Sequence, residues 1–304
     1  MSADRIIPQP YLVEIVEDSI RKKAIGWTVP DCGLSAALRF SVAFEDNSKV
    51  FVKAATDEET EGWLRTEHGV LSVVQMDFMP AIIDWIDIPG RRPVLITQDL
   101  SHAYWPASHS GVNWREGDME LLFGAIKELS FQVAPTVLPA LQNREVSVWS
   151  QIGDNPEAFL RLKLCSRAWM ERSIDAFIDA EKKADVTGTS LVHGDMRSDN
   201  ICILDSGVIF VDWSHASRGN GRHDLAGVLP TLYLEGGPTP YSVMPDGGPE
   251  AAIGCADHIR RLASNHGMPS WLKGVFVRLI AIELEWATQC LNLDGPDGVK
   301  WRKI

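Results

Sequence analysis

Residues 191–213 read LVHGDMRSDNICILDSGVIFVDW. The segments 201–204 and 208–211 are apolar and rich in β-branched residues, and an Asp-Ser-Gly tripeptide separates them. This pattern predicts a β-hairpin. Asn200 directly precedes the first strand and Asp212 directly follows the second, so the hairpin would place the two side chains close together.

The polar residues of this stretch suit the transfer of a phosphoryl group. That reaction needs an acceptor hydroxyl held in line, a cation on the phosphate oxygens and a base for the hydroxyl proton. Asp195 precedes Asn200 by five positions, a separation at which one loop can aim both side chains into one pocket. We expect Asp195 to accept the proton, and Asn200 and Asp212 to bind Mg²⁺ through oxygen atoms. Either acid alone could cap a turn, but the combination is specific.

The motif HGDMRSDN followed by VDW resembles the catalytic block of the aminoglycoside phosphotransferase and choline kinase-like family, whose usual form is HGDLxxxN followed by IDW or IDF. The resemblance implies a protein-kinase-like fold and ATP-dependent phosphorylation of a hydroxyl group on a small molecule. By position it assigns Asp195 as the catalytic base, and Asn200 and Asp212 as the metal ligands. It assigns His193 as the residue that braces the loop. Arg197 stands where the family often has His or Arg, and we include it in the catalytic set.

The kinase-like fold implied by the resemblance has a lysine on the third strand of its nucleotide lobe, paired with a helix glutamate. Residues 49–54 have strand character, and Lys53 lies near their end. Residues 56–74 carry apolar side chains at helical intervals, so Glu67 could face the interior. We predict that Lys53 and Glu67 pair at the nucleotide. A solvated strand-edge lysine is the alternative for Lys53, and the competing acids on the helix are Glu58, Glu59 and Glu61.

Residues 31–37 occupy the position of a phosphate-covering loop, but they are poor in glycine. Their one glycine is Gly33, and neither G-x-G-x-x-G nor G-x-x-x-x-G-K-[ST] is present. Small side chains can still let backbone amides approach a phosphate. We therefore predict that Ser35 contacts the phosphates, with a β-turn that binds nothing as the alternative.

Residues 94–100 predict a buried strand that runs into a polar segment. By the resemblance, this segment is the hinge between the lobes, where backbone groups bind the adenine edge. Gln98 and Leu100 are accordingly predicted to contact adenine through their main chains. A core edge strand without a ligand is the alternative.

The length of 304 residues favours two lobes over one small core. We predict a nucleotide-binding lobe at 1–100 and a catalytic and acceptor-binding lobe at 101–304. Beyond the first lobe, apolar spacings of three and four predict helices at 116–131, 156–181 and 271–291, and the Gly- and Pro-rich segment 235–249 predicts a long loop. Strands first and helices later predict an α+β fold with a β-rich first lobe and a larger, mainly helical second lobe.

The chain is acidic, with a formal net charge of -12 and a pI of about 5.1. Acidity disfavours nucleic-acid binding, which normally needs a basic face. It suits a cationic acceptor, which an acidic cleft would attract. Towards the end of the sequence, the carboxylates available to hold ammonium groups are Asp257, Glu283, Glu285, Asp294 and Asp297. Trp271 and Trp286 could stack on a sugar or a cation, although helix-spaced aromatic residues are more often core.

No run approaches the roughly 18 apolar residues of a membrane span, and the first residues do not have the pattern of a leader. We therefore expect a soluble, cytosolic protein without a membrane partner. Its five cysteines are scattered and form no CxxC pair, which indicates neither a zinc site nor a disulfide framework.

Together these features predict a kinase that transfers phosphate directly from MgATP to a small-molecule hydroxyl, without a phosphoenzyme. An aminoglycoside or related amino sugar is the first choice of acceptor, which would connect the protein with antibiotic resistance. A choline-like alcohol, an amino acid or another antibiotic class is the alternative. A pseudokinase-like nucleotide-binding protein is conceivable because the loop around Gly33 is degenerate. A protein kinase is disfavoured, because Asp212-Trp213-Ser214 replaces the DFG triplet and no APE element follows.

Overall fold

The structure of the protein is a computed structural model, and it describes residues 8–30, 36–108, 111–265 and 267–299. The chain packs as two compact units. Unit 1 comprises Met1–Pro139 and His193–Ser217, and unit 2 comprises Ala140–Val192 and Arg218–Ile304. The mixture of sheet and helices confirms the predicted α+β class. The functional division into lobes at 1–100 and 101–304 has other boundaries than these units and stays a prediction.

Within the described part of the first hundred residues lie two helices and five strands. In chain order, the helices and strands of the protein are α1 (Pro10–Ile20), β1 (Ala24–Thr28), β2 (Leu38–Phe44), β3 (Lys49–Ala54), α2 (Glu58–Val73), β4 (Ile82–Ile86), β5 (Val94–Gln98), β6 (Ala107–Ser108), β7 (Gly111–Val112), α3 (Asp118–Ser130), α4 (Val148–Asp154), α5 (Glu157–Leu160), α6 (Arg167–Lys183), β8 (Ser190–Val192), β9 (Ile201–Leu204), β10 (Gly207–Phe210), β11 (Ser217–Gly219), α7 (His223–Leu234), α8 (Pro240–Val243), α9 (Gly248–Ser264) and α10 (Ser270–Cys290). Strands β1 to β5 form an antiparallel sheet in the order β1-β2-β3-β5-β4.

The two faces of this sheet differ because side chains alternate along each strand. One face of β2 and β3 is a hydrophobic core that also receives Leu12 and Val16 of α1, a helix that the sequence analysis did not predict. The core side chains of the two strands are Phe40, Val42, Phe44, Val50, Val52 and Ala54. The opposite face carries Arg39 of β2 and Lys53 of β3, which are paired in the strand register. The polar face is therefore available for a site.

Helix α2 begins at a capping box. The Asp57 carboxylate accepts a hydrogen bond from the Thr60 backbone N–H at 2.8 Å, and the Thr60 hydroxyl accepts one from the Asp57 N–H at 3.0 Å. These bonds satisfy amides that have no partner within the helix. The predicted helix at 56–74 is confirmed, and its buried face includes Leu64 and Glu67.

The predicted hairpin is also confirmed. Strands β9 and β10 pair antiparallel, with Leu204 opposite Gly207. Cys202 and Ile209 of the hairpin pack against Leu100, the residue that follows β5 by two positions. Tyr104 and Ile203 exchange backbone hydrogen bonds of 2.9 and 2.8 Å, which attach the hairpin to the segment after β5.

Two expectations for unit 2 were wrong. Residues 156–181 are not one helix, because the chain turns through Lys163 with a φ of 60° and the Ser166 hydroxyl then caps α6 by accepting from Trp169 N. The segment 235–249 is not wholly loop, because Thr239 caps α8 in the same way, with Pro240 at its first position. The predicted helices at 116–131 and 271–291 are confirmed as α3 and α10. Across the described ranges, no helix is long and apolar enough to cross a membrane.

Candidate active site

The loop that carries Asp195 depends on a glycine. Gly194 has a φ of 78°, a conformation that residues with a side chain rarely adopt. A Cβ atom at this position would overlap the carbonyl oxygen of His215. The glycine therefore lets the loop lie directly against the turn that follows Asp212.

His193 connects this loop to the end of β10. Its side chain is fully buried, and its Nδ1 accepts a hydrogen bond from the Asp195 backbone N–H at 3.3 Å. Its Nε2 lies 2.9 Å from the carbonyl oxygen of Val211 and, as the other ring nitrogen is an acceptor, donates to it. The ring also packs against Trp213, with 4.6 Å between centroids. The position of His193 suits the predicted bracing of the loop.

Asp195 and Asn200 are in direct contact. The Asn200 amide nitrogen donates to the Asp195 carbonyl oxygen at 2.9 Å and to its carboxylate at 3.0 Å. Asn200 is buried in a short 3-10 turn, and its backbone carbonyl accepts a hydrogen bond from the Val211 N–H. The hydrogen bonds to Asp195 use the amide nitrogen, which leaves the amide oxygen as the atom able to ligate a metal.

Asp212 has a strained backbone. Its φ of 64° and ψ of 64° are unusual for a residue with a side chain, and such strain is concentrated at functional sites. Burial alone would raise the pKa of Asp212, but the Lys53 charge and a hydrogen bond from Ser214 outweigh it, so the pKa lies well below its ordinary value. The side chain is therefore an anion, and Asp212 directly follows Val211, whose N–H donates to the Asn200 backbone carbonyl at 3.0 Å.

Lys53 and Glu67 form a buried ion pair. The Lys53 ammonium lies 2.8 Å from both Glu67 carboxylate oxygens and 3.4 Å from Asp212 Oδ1. The side chains of Lys53 and Glu67 are only 11% and 2% exposed, so both charges depend on their partners. Burial alone would lower the pKa of Lys53, but the two carboxylates raise it above its ordinary value. Of the competing acids, Glu61 binds Arg65 and Arg92 instead.

Arg197 lies beside the proposed base together with an acid that the sequence analysis did not select. Its Nε is 2.9 Å from Asp199 Oδ1 and 3.5 Å from Asp195 Oδ2. Burial raises the pKa of Asp199, and Arg197 only partly opposes that rise. Asp199 directly precedes Asn200 in the motif, but the family form leaves its position unspecified, so only its half-buried place beside Arg197 distinguishes it.

The hinge residues predicted to contact adenine have part of their backbone already engaged. The Gln98 N–H donates to the Ala81 carbonyl at 2.9 Å. The Leu100 carbonyl accepts from Ala103 N at 3.0 Å and from the Trp105 indole at 3.1 Å. Any contact with a base therefore falls to the Gln98 carbonyl and the Leu100 N–H. Adenine binding here stays a prediction.

A second acid that the sequence analysis missed lies between the two hinge residues. Asp99 is buried and accepts hydrogen bonds from the Ser41 hydroxyl on β2 and from the backbone N–H of Ser101, the latter at 3.1 Å. It thus connects the hinge to the polar face of the sheet. The predicted phosphate contact Ser35 lies outside the described residues.

These groups surround one cavity of about 700 Å³ in unit 1, large enough for a nucleotide. Its lining brings together eight of the ten predicted site residues. His193 is not part of the lining, and Ser35 lies outside the described residues. The lining residues singled out above are Lys53, Glu67, Gln98, Leu100, Asp195, Arg197, Asn200 and Asp212, together with Arg39, Ser41, Asp99 and Asp199.

The carboxylates near the end of the sequence, which were expected to hold a cationic acceptor, lie in unit 2. Several of them already have ion-pair or hydrogen-bond partners. Asp257 pairs with Arg144 and with Arg260. Glu283 is buried against His258 at 2.9 Å, and Asp297 accepts from the backbone and hydroxyl of Ser166. The aromatic candidates differ in their environments. Trp286 is a core residue, whereas Trp271 is 62% exposed.

The fold is that of the protein-kinase-like phosphotransferases. Residues 131–251 match the sequence profile of the phosphotransferase enzyme family. This segment contains the HGDMRSDN motif and Asp212 but not Lys53. No curated protein sequence matches the chain significantly.

Solved structures of phosphotransferases share the fold of nearly the whole chain. A thermostable mutant of aminoglycoside phosphotransferase APH(4)-Ia, in a ternary complex with ADP and hygromycin B, has a TM-score of 0.53 at 10% identity, covering 92% of this chain and 98% of its own. Macrolide 2'-phosphotransferase MphH from Brachybacterium faecium scores 0.55 at 13% identity, covering 90% and 98%. The GDP and kanamycin complex of APH(2")-IIia scores 0.55 at 13% identity, covering 93% and 98%.

The matched segment and the shared fold together confirm the resemblance inferred from the sequence. They also confirm the enzyme class, a phosphotransferase with an alcohol group as acceptor. The sequence identities are too low for the substrates of these structures to be assigned to this chain.

Proposed function

We propose that this protein transfers the γ-phosphoryl group of MgATP directly to a hydroxyl of a small, cationic acceptor, in the first place an aminoglycoside or related amino sugar. The observation that carries the proposal is the convergence of Lys53, Asp195, Asn200 and Asp212 on one cavity of unit 1. Phosphoryl transfer depends mostly on positioning and charge, and these residues are the types it needs.

Asp195 is the proposed base. Its carboxylate is oriented by the Asn200 amide, and its loop is braced by His193. In this role it accepts the proton of the acceptor hydroxyl as the oxygen attacks phosphorus. Arg197, 3.5 Å from the same carboxylate, is placed to orient it.

Asn200 and Asp212 fit a magnesium ion. An ionised carboxylate and an amide oxygen are the hard donors that this ion prefers, and it completes its shell with water and nucleotide oxygens. When bound, Mg²⁺ would neutralise charge on the phosphate oxygens. Lys53, held by Glu67, is placed to bind phosphate oxygens next to Asp212. The choice of ATP over GTP rests on resemblance, since the solved relatives include complexes with ADP and with GDP.

The cationic acceptor rests on charge. The net charge is -12, and Asp195 and Asp199 lie close together in the cavity. The engaged carboxylates of unit 2 offer less support, because Asp257 and Glu283 already have basic partners. A choline-like alcohol, an amino acid or another antibiotic class is the second choice. Antibiotic resistance and a cytosolic location are part of the same proposal.

A coupled assay of ADP release tests this function. Wild type and Asp195→Asn are compared with MgATP and MgGTP against aminoglycosides, amino sugars, choline-like alcohols and macrolides. Acceptor-dependent turnover that the variant lacks would support the proposal and name the acceptor class. Nucleotide binding without turnover on any acceptor would instead favour a pseudokinase-like binding protein.

A further inference from the structure

Arg39 and Lys53 lie side by side on the polar face of the sheet. They are opposite each other in the β2–β3 register, and directly paired residues of antiparallel strands project to the same face. Both side chains line the cavity of unit 1.

Lys53 alone offers little positive charge to a polyphosphate. Its ammonium is already shared between Glu67, at 2.8 Å, and Asp212, at 3.4 Å. A nucleoside triphosphate carries several negative charges, which Mg²⁺ neutralises only in part. A second cation close to Lys53 would therefore improve the electrostatic balance of the site.

The other cations in the cavity lining are less well placed. Arg197 lies 2.9 Å from Asp199 and beside Asp195, so it serves the acceptor side of the loop. Lys49 is on the same face of β3 but four residues from Lys53, about 13 Å along a strand. Its ammonium points to the hinge, 3.5 Å from the Ser101 hydroxyl. Arg39 is therefore the cation adjacent to Lys53.

We propose that Arg39 is a second phosphate-binding residue, whose guanidinium donates to the non-bridging oxygens of the bound nucleotide beside Lys53. This inference rests on the proposed function, because it takes the cavity to be the nucleotide site. A planar guanidinium can donate two parallel hydrogen bonds to a phosphate. Arg39 also follows segment 31–37 closely, and that segment has one glycine where backbone amides would otherwise bind phosphate. The arginine would add side-chain donors to those of the backbone.

The test is the dependence of affinity on the number of phosphates. Dissociation constants of adenosine, AMP, ADP and ATP, the last two with Mg²⁺, are measured by calorimetry for wild type, Arg39→Met, Arg39→Lys and Lys49→Met. Arg39→Met is expected to weaken ATP binding by about tenfold or more, the usual effect of losing a hydrogen bond to a charged group, and to leave adenosine binding unchanged. Arg39→Lys should recover part of the loss. Lys49→Met removes the same charge from the same face and should not change the ratio of ATP to adenosine affinity.

Equal weakening of adenosine and ATP in Arg39→Met would overturn the inference, as would unchanged ATP binding. An ATP-selective loss of the same size in Lys49→Met would also overturn it, because charge anywhere in the cavity would then suffice. Melting temperatures show whether each variant is folded. A wild-type chain that binds no nucleotide would defeat the proposed function itself, whereas normal turnover with unchanged ATP affinity in Arg39→Met would defeat this inference alone.

Discussion

The amide group of Asn200 donates hydrogen bonds to both the backbone carbonyl and the carboxylate of Asp195, at 2.9 and 3.0 Å. One side chain thus orients the proposed base and holds the loop that carries it. The proposed metal ligand and the proposed base are therefore mechanically coupled, and substitutions at the two positions should not have independent effects.

Asp195→Asn should lower transfer by at least about a hundredfold, the usual contribution of a general base. ATP affinity should stay nearly unchanged, because the new amide keeps an oxygen that can accept from Asn200. Turnover by coupled assay and nucleotide binding by calorimetry measure the two quantities separately. A loss of ATP binding as large as the loss of turnover would contradict the assignment.

Asp212→Asn should weaken nucleotide binding itself. The substitution removes the anionic member of the proposed ligand pair. Since even partners outside the ligand shell change metal affinity by an order of magnitude, the loss should be at least about tenfold in the presence of Mg²⁺. Binding measured with Mg²⁺ and with EDTA provides the comparison. If the variant and wild type differ equally in both conditions, Asp212 does not act through the metal.

Glu67→Gln should destabilise the fold by about 3 kcal/mol, because it leaves the buried Lys53 with Asp212 as its remaining carboxylate partner. Urea unfolding monitored by tryptophan fluorescence gives the free energy of unfolding. Glu58→Gln, at an exposed position of the same helix, is the control and should change stability little. Equal effects of the two substitutions would show that the Lys53 pair contributes nothing to stability.

Gly194→Ala should cost more than Gly90→Ala, although the two glycines have φ angles of 78° and 79°. Both substitutions introduce backbone strain of about 1–2 kcal/mol. Only the first also places a methyl group against the His215 carbonyl, since nothing lies within 4 Å of a Cβ at Gly90. The difference between the two unfolding free energies measures that overlap. Activity should fall in Gly194→Ala alone, and an equal fall in both would argue against a role for the close approach.

The hairpin and the acids at its end could be predicted because their signals are local. Two continuous apolar runs, a turn tripeptide and flanking polar residues all lie within the stretch 191–213. The pairing partner of Lys53 was also accessible, since helical spacing places Glu67 on the buried face of α2. In each case one short segment contains the whole pattern.

The remaining site residues depend on contacts that no short segment contains. Arg39 acquires its importance from the register between two strands, and Asp99 from a hydrogen bond that it accepts from the Ser41 hydroxyl on β2. The break between α5 and α6 depends on a left-handed Lys163, which helical spacing does not reveal. Sequence patterns predict elements and local motifs, whereas these features follow from how the elements pack.

Unit 1 is discontinuous in the sequence, which has a consequence for synthesis on the ribosome. Strands β1 to β5 emerge first, but their partner hairpin follows only after residues 140–192 have been translated. Until then, Leu100 has no contact with Cys202 or Ile209, and the Phe78 carbonyl has no Phe210 N–H to bind. The nascent chain must keep this apolar surface unpaired until the hairpin has been made. The proposed catalytic centre is therefore completed only after residues 140–192 have been translated, and a chain truncated before residue 210 lacks it.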